Sequence, residues 1–185
     1  MSRVRFATAR EVFEAFPSAR EDIQAAPSDD PPLAFIKSLA ETETPEDAIA
    51  FCAYVLPRRE AVWWACQCLR SLNPMPGSEE QAALDAAEAW VKEPEERRRR
   101  MALQLGMNGD RRAPASWAAL AAAWSGGNIT ENDQWQVAAK PEMTARAARV
   151  AILTALARAG AKERAARLKA CVETGLRLAA DGADR

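Results

Sequence analysis

Apolar residues return every three or four positions along almost the whole chain, the period of helices with one buried face. Val12, Phe13 and Phe16 mark a short first helix. Leu33, Ile36, Leu39 and Ala40 give another, and Ile49, Cys52, Ala53 and Leu56 a third that stops at Pro57. Val62, Cys66, Leu69 and Leu72 stripe a fourth, which ends before the turn Asn73-Pro74-Met75-Pro76-Gly77. Leu84, Ala87 and Val91 follow, then Met101, Ala102 and Leu105 ahead of Gly106, read as a C-cap. Trp117, Leu120, Ala121 and Trp124 share one face and close at Gly126-Gly127. Val150, Leu153, Leu156 and Ala157 run to Gly160, and Leu168, Cys171, Val172 and Gly175 mark the last long helix.

Start signals agree with these periods. Thr8 to Glu11, Ser18 to Glu21 and Ser78 to Gln81 have capping-box spacing. Thr44-Pro45-Glu46-Asp47 sets a cap residue before a proline and two acids, and Pro57, Pro94, Pro114 and Pro141 each precede a helical pattern. The expected fold is all-α: a compact bundle of nine or ten short helices arranged as helical hairpins. A short α-solenoid is the alternative, disfavoured because the unit lengths vary. The chain is read as a single helical domain, 1–185, with N-terminal helices in 1–26, a linker at 27–32, a helical core at 33–181 and a tail at 182–185. Residues 128–140 carry neither period cleanly and read as a surface loop.

Composition sharpens this. Alanine occurs 42 times against eight valines and five isoleucines, so the best helix former dominates and strand formers are scarce. Twenty-five basic and 26 acidic residues give a net charge of -1, which provides no field for nucleic acid or an anionic membrane. Histidine is absent, which removes Ser-His-Asp and Cys-His nucleophile systems and every metal motif that needs imidazole. The first residues are not followed by an apolar signal core, and the longest weakly polar stretch, Ala113 to Trp124, is far shorter than the roughly 20 residues of a membrane span. A cytoplasmic protein is expected, with Cys52, Cys66, Cys68 and Cys171 as buried free thiols.

Three blocks carry a resemblance. Leu56-Pro-Arg-Arg-Glu-Ala-Val-Trp-Trp-Ala-Cys66, Ala86-Ala-Glu-Ala-Trp-Val91 and Ala115-Ser-Trp-Ala-Ala-Leu-Ala-Ala-Ala-Trp-Ser-Gly-Gly127 resemble a group of bacterial proteins classed only as a domain of unknown function. The pair of helical patterns from Thr144 to Ala180 is similar to that group's C-terminal end. The resemblance implies an all-helical cytoplasmic bacterial protein, without established activity, whose relatives accompany type VI secretion gene clusters. After Gly127 the chain departs from the group's pattern: Asn128-Ile-Thr-Glu-Asn-Asp-Gln-Trp-Gln136 stands where relatives carry a proline-rich connector.

Arg58-Arg59-Glu60 before Trp63-Trp64 is the most distinctive local feature. Both arginines stand in a helical first turn, where the macrodipole disfavours them, so something must offset the placement. One reading makes them an anion clamp beside an exposed indole that anchors a partner protein. The plainer reading pairs an arginine with an acid of a neighbouring helix while one indole packs inside and the other lies at the margin, since adjacent helical residues diverge by about 100°. Trp135, in the irregular segment, is the best candidate for an exposed anchor. Glu95-Glu96-Arg97-Arg98-Arg99-Arg100 is read as a solvated face with Glu93/Arg97, Glu95/Arg99 and Glu96/Arg100 paired at i,i+4. Cys66 and Cys68 diverge by about 200° on a helix and cannot chelate one ion.

The sequence thus points to a non-catalytic interaction or accessory module with Arg58, Arg59, Glu60, Trp63, Trp64 and Trp135 as its partner-binding residues. Its expected partner is another protein, not nucleic acid or membrane. No catalytic residue, metal or cofactor is assigned. The alternative is a helical small-molecule binder or enzyme using Glu, Asp and Arg chemistry, with Glu60 beside Arg58 or Arg59; self-association through alanine-rich faces is compatible with either.

Overall fold

The computed structural model describes residues 4–180, so the expected tail at 182–185 lies outside the described residues. The described residues form ten helices and no strand; a lone antiparallel bridge, Asn128 to Ala138, is their only β pairing. The protein is all-α. Its chain falls into two compact units, 58–158 and a second made of 1–57 with 159–185.

The second of these contains α1 (Ala9–Ala15), α2 (Ala19–Asp22), α3 (Pro32–Ala40), α4 (Glu46–Val55) and α10 (Ala161–Ala180). Its core is aromatic: the Phe35 and Phe51 rings meet edge-on at 4.8 Å, and Phe13 lies 5.7 Å from Phe51. The segment expected to be a linker answers the unpaired donors of α1, because Ser28 and Asp30 carbonyls accept from the Arg10 and Ala9 amides. Buried Asp47 accepts from the amides of Gln24 and Ala25, both at 3.0 Å, and so fixes the chain leaving α2. Arg164 of α10 bonds Glu46 of α4 at 2.6 Å.

The unit 58–158 contains α5 (Arg58–Leu72), α6 (Ser78–Lys92), α7 (Glu96–Asn108), α8 (Pro114–Ala123) and α9 (Met143–Ala157). Proline begins α8 and alanine fills it, and every residue of the helix except Trp117 is buried. Such a helix, apolar all round, has to be surrounded, and α5, α6, α7 and α9 all pack against it.

Gly106 is not the C-cap its position suggested. It lies inside α7, where a Cβ would fall 2.8 Å from Leu120 Cγ and 3.1 Å from the Leu120 backbone nitrogen of α8. Bare backbone lets the two helices approach, and Gly109 caps α7 instead. Of the three capping boxes only the first forms, with Thr8 Oγ1 accepting from the Glu11 amide at 3.4 Å. Ser18 adopts helical angles rather than the extended backbone a capping hydroxyl needs, and α6 begins at Ser78 itself with Gly77 before it. The four cysteines are free and buried.

Candidate functional site: a loop held by three arginines

The paired arginines at the start of α5 answer the misplaced-charge problem by reaching the opposite, negative ends of other helices. Arg59 donates from Nε to the Val91 carbonyl at 2.6 Å and from a terminal nitrogen to Lys92 at 3.2 Å, at the last turn of α6. Arg58 donates to the Ser125 carbonyl at 2.6 Å, just past α8. Carbonyls there lack intrahelical donors, and cations are favoured at that end of the dipole. The two adjacent side chains therefore tie the block that begins Leu56-Pro57-Arg58-Arg59 to the block ending Trp90-Val91 and to the block ending Trp124-Ser125-Gly126-Gly127.

The indoles divide as adjacent helical positions must: Trp64 is fully buried and Trp63 half-buried. Glu60 is half-buried on the same turn. Arg58, Arg59, Glu60, Trp63 and Trp64 thus belong to the helix junction, while Trp135 stands apart from them in the loop and is 68% exposed. The half-buried Trp117 indole donates to the Arg111 carbonyl at 2.8 Å, whereas the buried Trp124 Nε1 has no partner among the described residues.

The arginine run at the start of α7 departs from its expected pairing. The helix starts at Glu96, so Glu93 and Glu95 are outside it and cannot form helical i,i+4 pairs. Glu93 pairs with Arg98 instead, and Glu96 with Arg99 at 2.6 Å. Arg99 is only 4% exposed. It donates to the Ala123 carbonyl at 2.6 Å and the Asn128 carbonyl at 3.0 Å, and it bonds Glu96 through Nε and the other terminal nitrogen. That contact holds the Glu96 carboxyl below the usual carboxylate range, against a smaller opposing effect of burial. Gly127 lies against the guanidinium with φ +62°, and a Cβ there would come within 3.0 Å of it. Arg100 extends the clamp to the Thr130 carbonyl at 2.6 Å, the Glu131 carbonyl at 3.0 Å and Asp133 at 2.8 Å.

Arg58, Arg99 and Arg100 thus grip the last residue of α8, Ala123, and the loop that follows it as far as Asp133. The loop is closed internally around Asn128, whose Oδ1 accepts from the amides of Thr130 at 3.2 Å and Val137 at 3.0 Å while its Nδ2 donates to the Trp135 carbonyl at 2.8 Å. The Thr130 hydroxyl also reaches the Trp135 carbonyl at 2.8 Å, and the amides of Ile129 and Ala139 cross the loop to the carbonyls of Val137 and Gly127. Backbone at Trp135 is therefore fixed while its indole and the neighbouring Val137, 45% exposed, face solvent. The segment that reads from sequence as an irregular surface loop is thus bonded within itself.

Asp85 and Glu88 do converge, but on Arg70, at 2.7 and 2.9 Å, as an ion-pair network joining α5 and α6. Burial pushes the Cys52 and Cys66 thiols up, away from the reactive thiolate. Among the described residues no three His, Cys, Asp or Glu side chains gather as metal ligands, and no helix is long and apolar enough to cross a membrane.

Comparison with curated proteins and with solved structures returned no match. Residues 35–179, which take in both R-R-E-A-V-W-W and W-S-G-G, match a family of unknown function, DUF6931, and the chain belongs to that family.

Proposed function

We propose that this protein is a non-catalytic bacterial accessory module that binds another protein, in the cytoplasm and in association with type VI secretion, through the loop at 128–137. The single observation that carries this reading is Trp135, a large indole 68% exposed on backbone held by hydrogen bonds at its carbonyl. An exposed aromatic on a prefixed backbone loses little conformational freedom on binding, and tryptophan is enriched among the residues that dominate protein interfaces. The bacterial setting and the secretion link rest on the resemblance of the three sequence blocks.

Arg58 and Arg59 support the loop and the helix junction in this reading, since they are engaged with backbone carbonyls. Charge reversal at Arg59 is then a poor test, because it removes the α6 cap as well. The informative variant is Trp135→Ala, used as bait beside the wild-type chain in affinity capture from the native cytoplasm. Wild type retains a defined protein that Trp135→Ala loses while melting at an unchanged temperature; equal retention by both baits contradicts the assignment.

A further inference from the structure

A second surface of the unit 58–158 carries its own chemistry, away from the Trp135 loop in the residues it uses. Two hollows follow one another along the seam between the antiparallel α6 and α7. The first, about 310 Å³, lies over Ala86 and Ala89 beside Arg97 and Met101. One helical turn further, a cleft of about 350 Å³ opens over Ala82 and Ala83 beside Leu105 and Asn108, and ends at Gly109 and Ser116. On α6 the floor residues recur at three- and four-residue steps, so they share one face, and alanine there admits another helix closely.

The end of the furrow at Gly109 and Ser116 carries its polar groups. Ser116 is 3% exposed, and its hydroxyl, which lines the cleft, has no hydrogen-bond partner among the described residues. Gly109 lies directly against that hydroxyl: a Cβ at 109 would overlap Ser116 Oγ, so the hollow exists because the residue is glycine. Around it stand Glu79, Glu80 and Asp110, while the last carbonyls of α7, at Gly106 and Met107, are already taken by the Arg111 guanidinium at 3.1 and 3.3 Å. Asp110 is matched by Arg112 at 3.1 Å, and Glu80 by Arg158, just past α9, whose guanidinium sits on both carboxylate oxygens at 2.8 and 3.2 Å. Glu79 is exposed and has no ion-pair partner among the described residues, and its full charge outweighs the positive end of α6, about half a charge. The opposite end of the furrow has exposed Arg97 and, in its wall, Met101, 52% exposed.

We propose that the α6–α7 furrow docks an amphipathic helix of a partner protein, which lays an apolar stripe over Ala82, Ala86 and Met101 and inserts a lysine or arginine into the cleft at Glu79 and Ser116. The inserted cation meets one unmatched carboxylate and an unpartnered hydroxyl acceptor, as Arg158 meets the Glu80 carboxylate and the Arg112 carbonyl at the rim. Helix-in-groove recognition supplies the remainder through apolar anchors at i, i+3/i+4 and i+7. This docking does not depend on the Trp135 reading.

The test uses the full chain, ¹⁵N-labelled, and two designed helical probe peptides with leucines four residues apart followed by arginine in one and citrulline, its neutral isostere, in the other. The arginine peptide should shift the amide resonances of Glu79, Asn108, Gly109 and Ser116 and bind about two- to fivefold tighter than the citrulline peptide, the value of an ion pair to an exposed carboxylate. Glu79→Gln should erase that difference. Ala82→Arg, an exposed change that leaves the fold intact, should block both peptides, and Trp135→Ala should alter neither. Equal affinity of the two peptides, shifts confined to other residues, or binding that survives Ala82→Arg would each overturn the proposal.

Discussion

Replacing Arg99 with methionine keeps the volume of the side-chain stem and deletes the guanidinium. Two carbonyls then lose their donor. Ala123 is fully buried, so its oxygen bears the whole desolvation penalty, about 1–3 kcal/mol, while the half-buried Asn128 oxygen recovers part of its loss from water. Glu96 is 67% exposed and rehydrates, so its lost ion pair adds little. The sum is about 2–4 kcal/mol. At roughly 2–4 °C per kcal/mol for a chain of this length, the melting temperature should fall by about 5–15 °C. Urea unfolding followed by far-ultraviolet circular dichroism measures the loss, and hydrogen exchange at Ile129 and Ala139, whose amides cross the loop, shows whether it is local. A solvated surface arginine would change stability by no more than about 0.5 kcal/mol. A loss under 1 kcal/mol with unchanged exchange at both amides refutes the clamp.

Three further outcomes are expected. Gly106→Ala gains helix propensity but drives a Cβ into Leu120, including its backbone nitrogen at 3.1 Å, so it should destabilise by about 1–3 kcal/mol in thermal denaturation, opposite in sign to the usual effect of this change inside a helix. A chromogenic disulfide reagent should find almost no reactive thiol in the native protein and all four after denaturation, because every cysteine is buried and burial pushes Cys52 and Cys66 up. Glu96, Asp110 and Glu46 have folded pKa values lowered mainly through their arginine partners, Arg99, Arg112 and Arg164, although burial opposes this and is the largest single influence at Glu46. The unfolded chain therefore takes up these protons first: their contribution is complete above the unfolded carboxylate range and is lost as pH falls from about 4.5 through the lowered folded values. Denaturation midpoints recorded from neutral pH downward should decline over that window and not above it.

The helical class was legible because alanine content, apolar period and proline starts all agreed, and the split of Trp63 from Trp64 followed from helical geometry alone. What the pattern concealed is long-range. Arg58 meets Ser125 and Arg99 meets Asn128, partners 67 and 29 residues away, while spacing rules for charge pairs reach only one helical turn. Four consecutive arginines on a helix cannot share one face, since each step turns about 100°, and that was the one local sign that a member of the run had to point inward. Gly106 and Gly127 look alike in one dimension, as breakers after apolar runs, yet one marks a helix crossing and the other a left-handed turn against a guanidinium. Residues 128–137 have no period because side chains of Asn128 and Thr130 satisfy the backbone there in place of a helix or sheet ladder. Trp135 stood out by its irregular surroundings, and its exposure agrees with that reading.

The most direct measurement of the Trp135 loop as a protein-binding surface is photocrosslinking in living cells from a benzophenone side chain placed at position 137, beside the indole. A single discrete adduct that vanishes when Trp135 becomes alanine is the expected result. No adduct, or the same adducts from a probe at exposed Lys169 on α10, would contradict it.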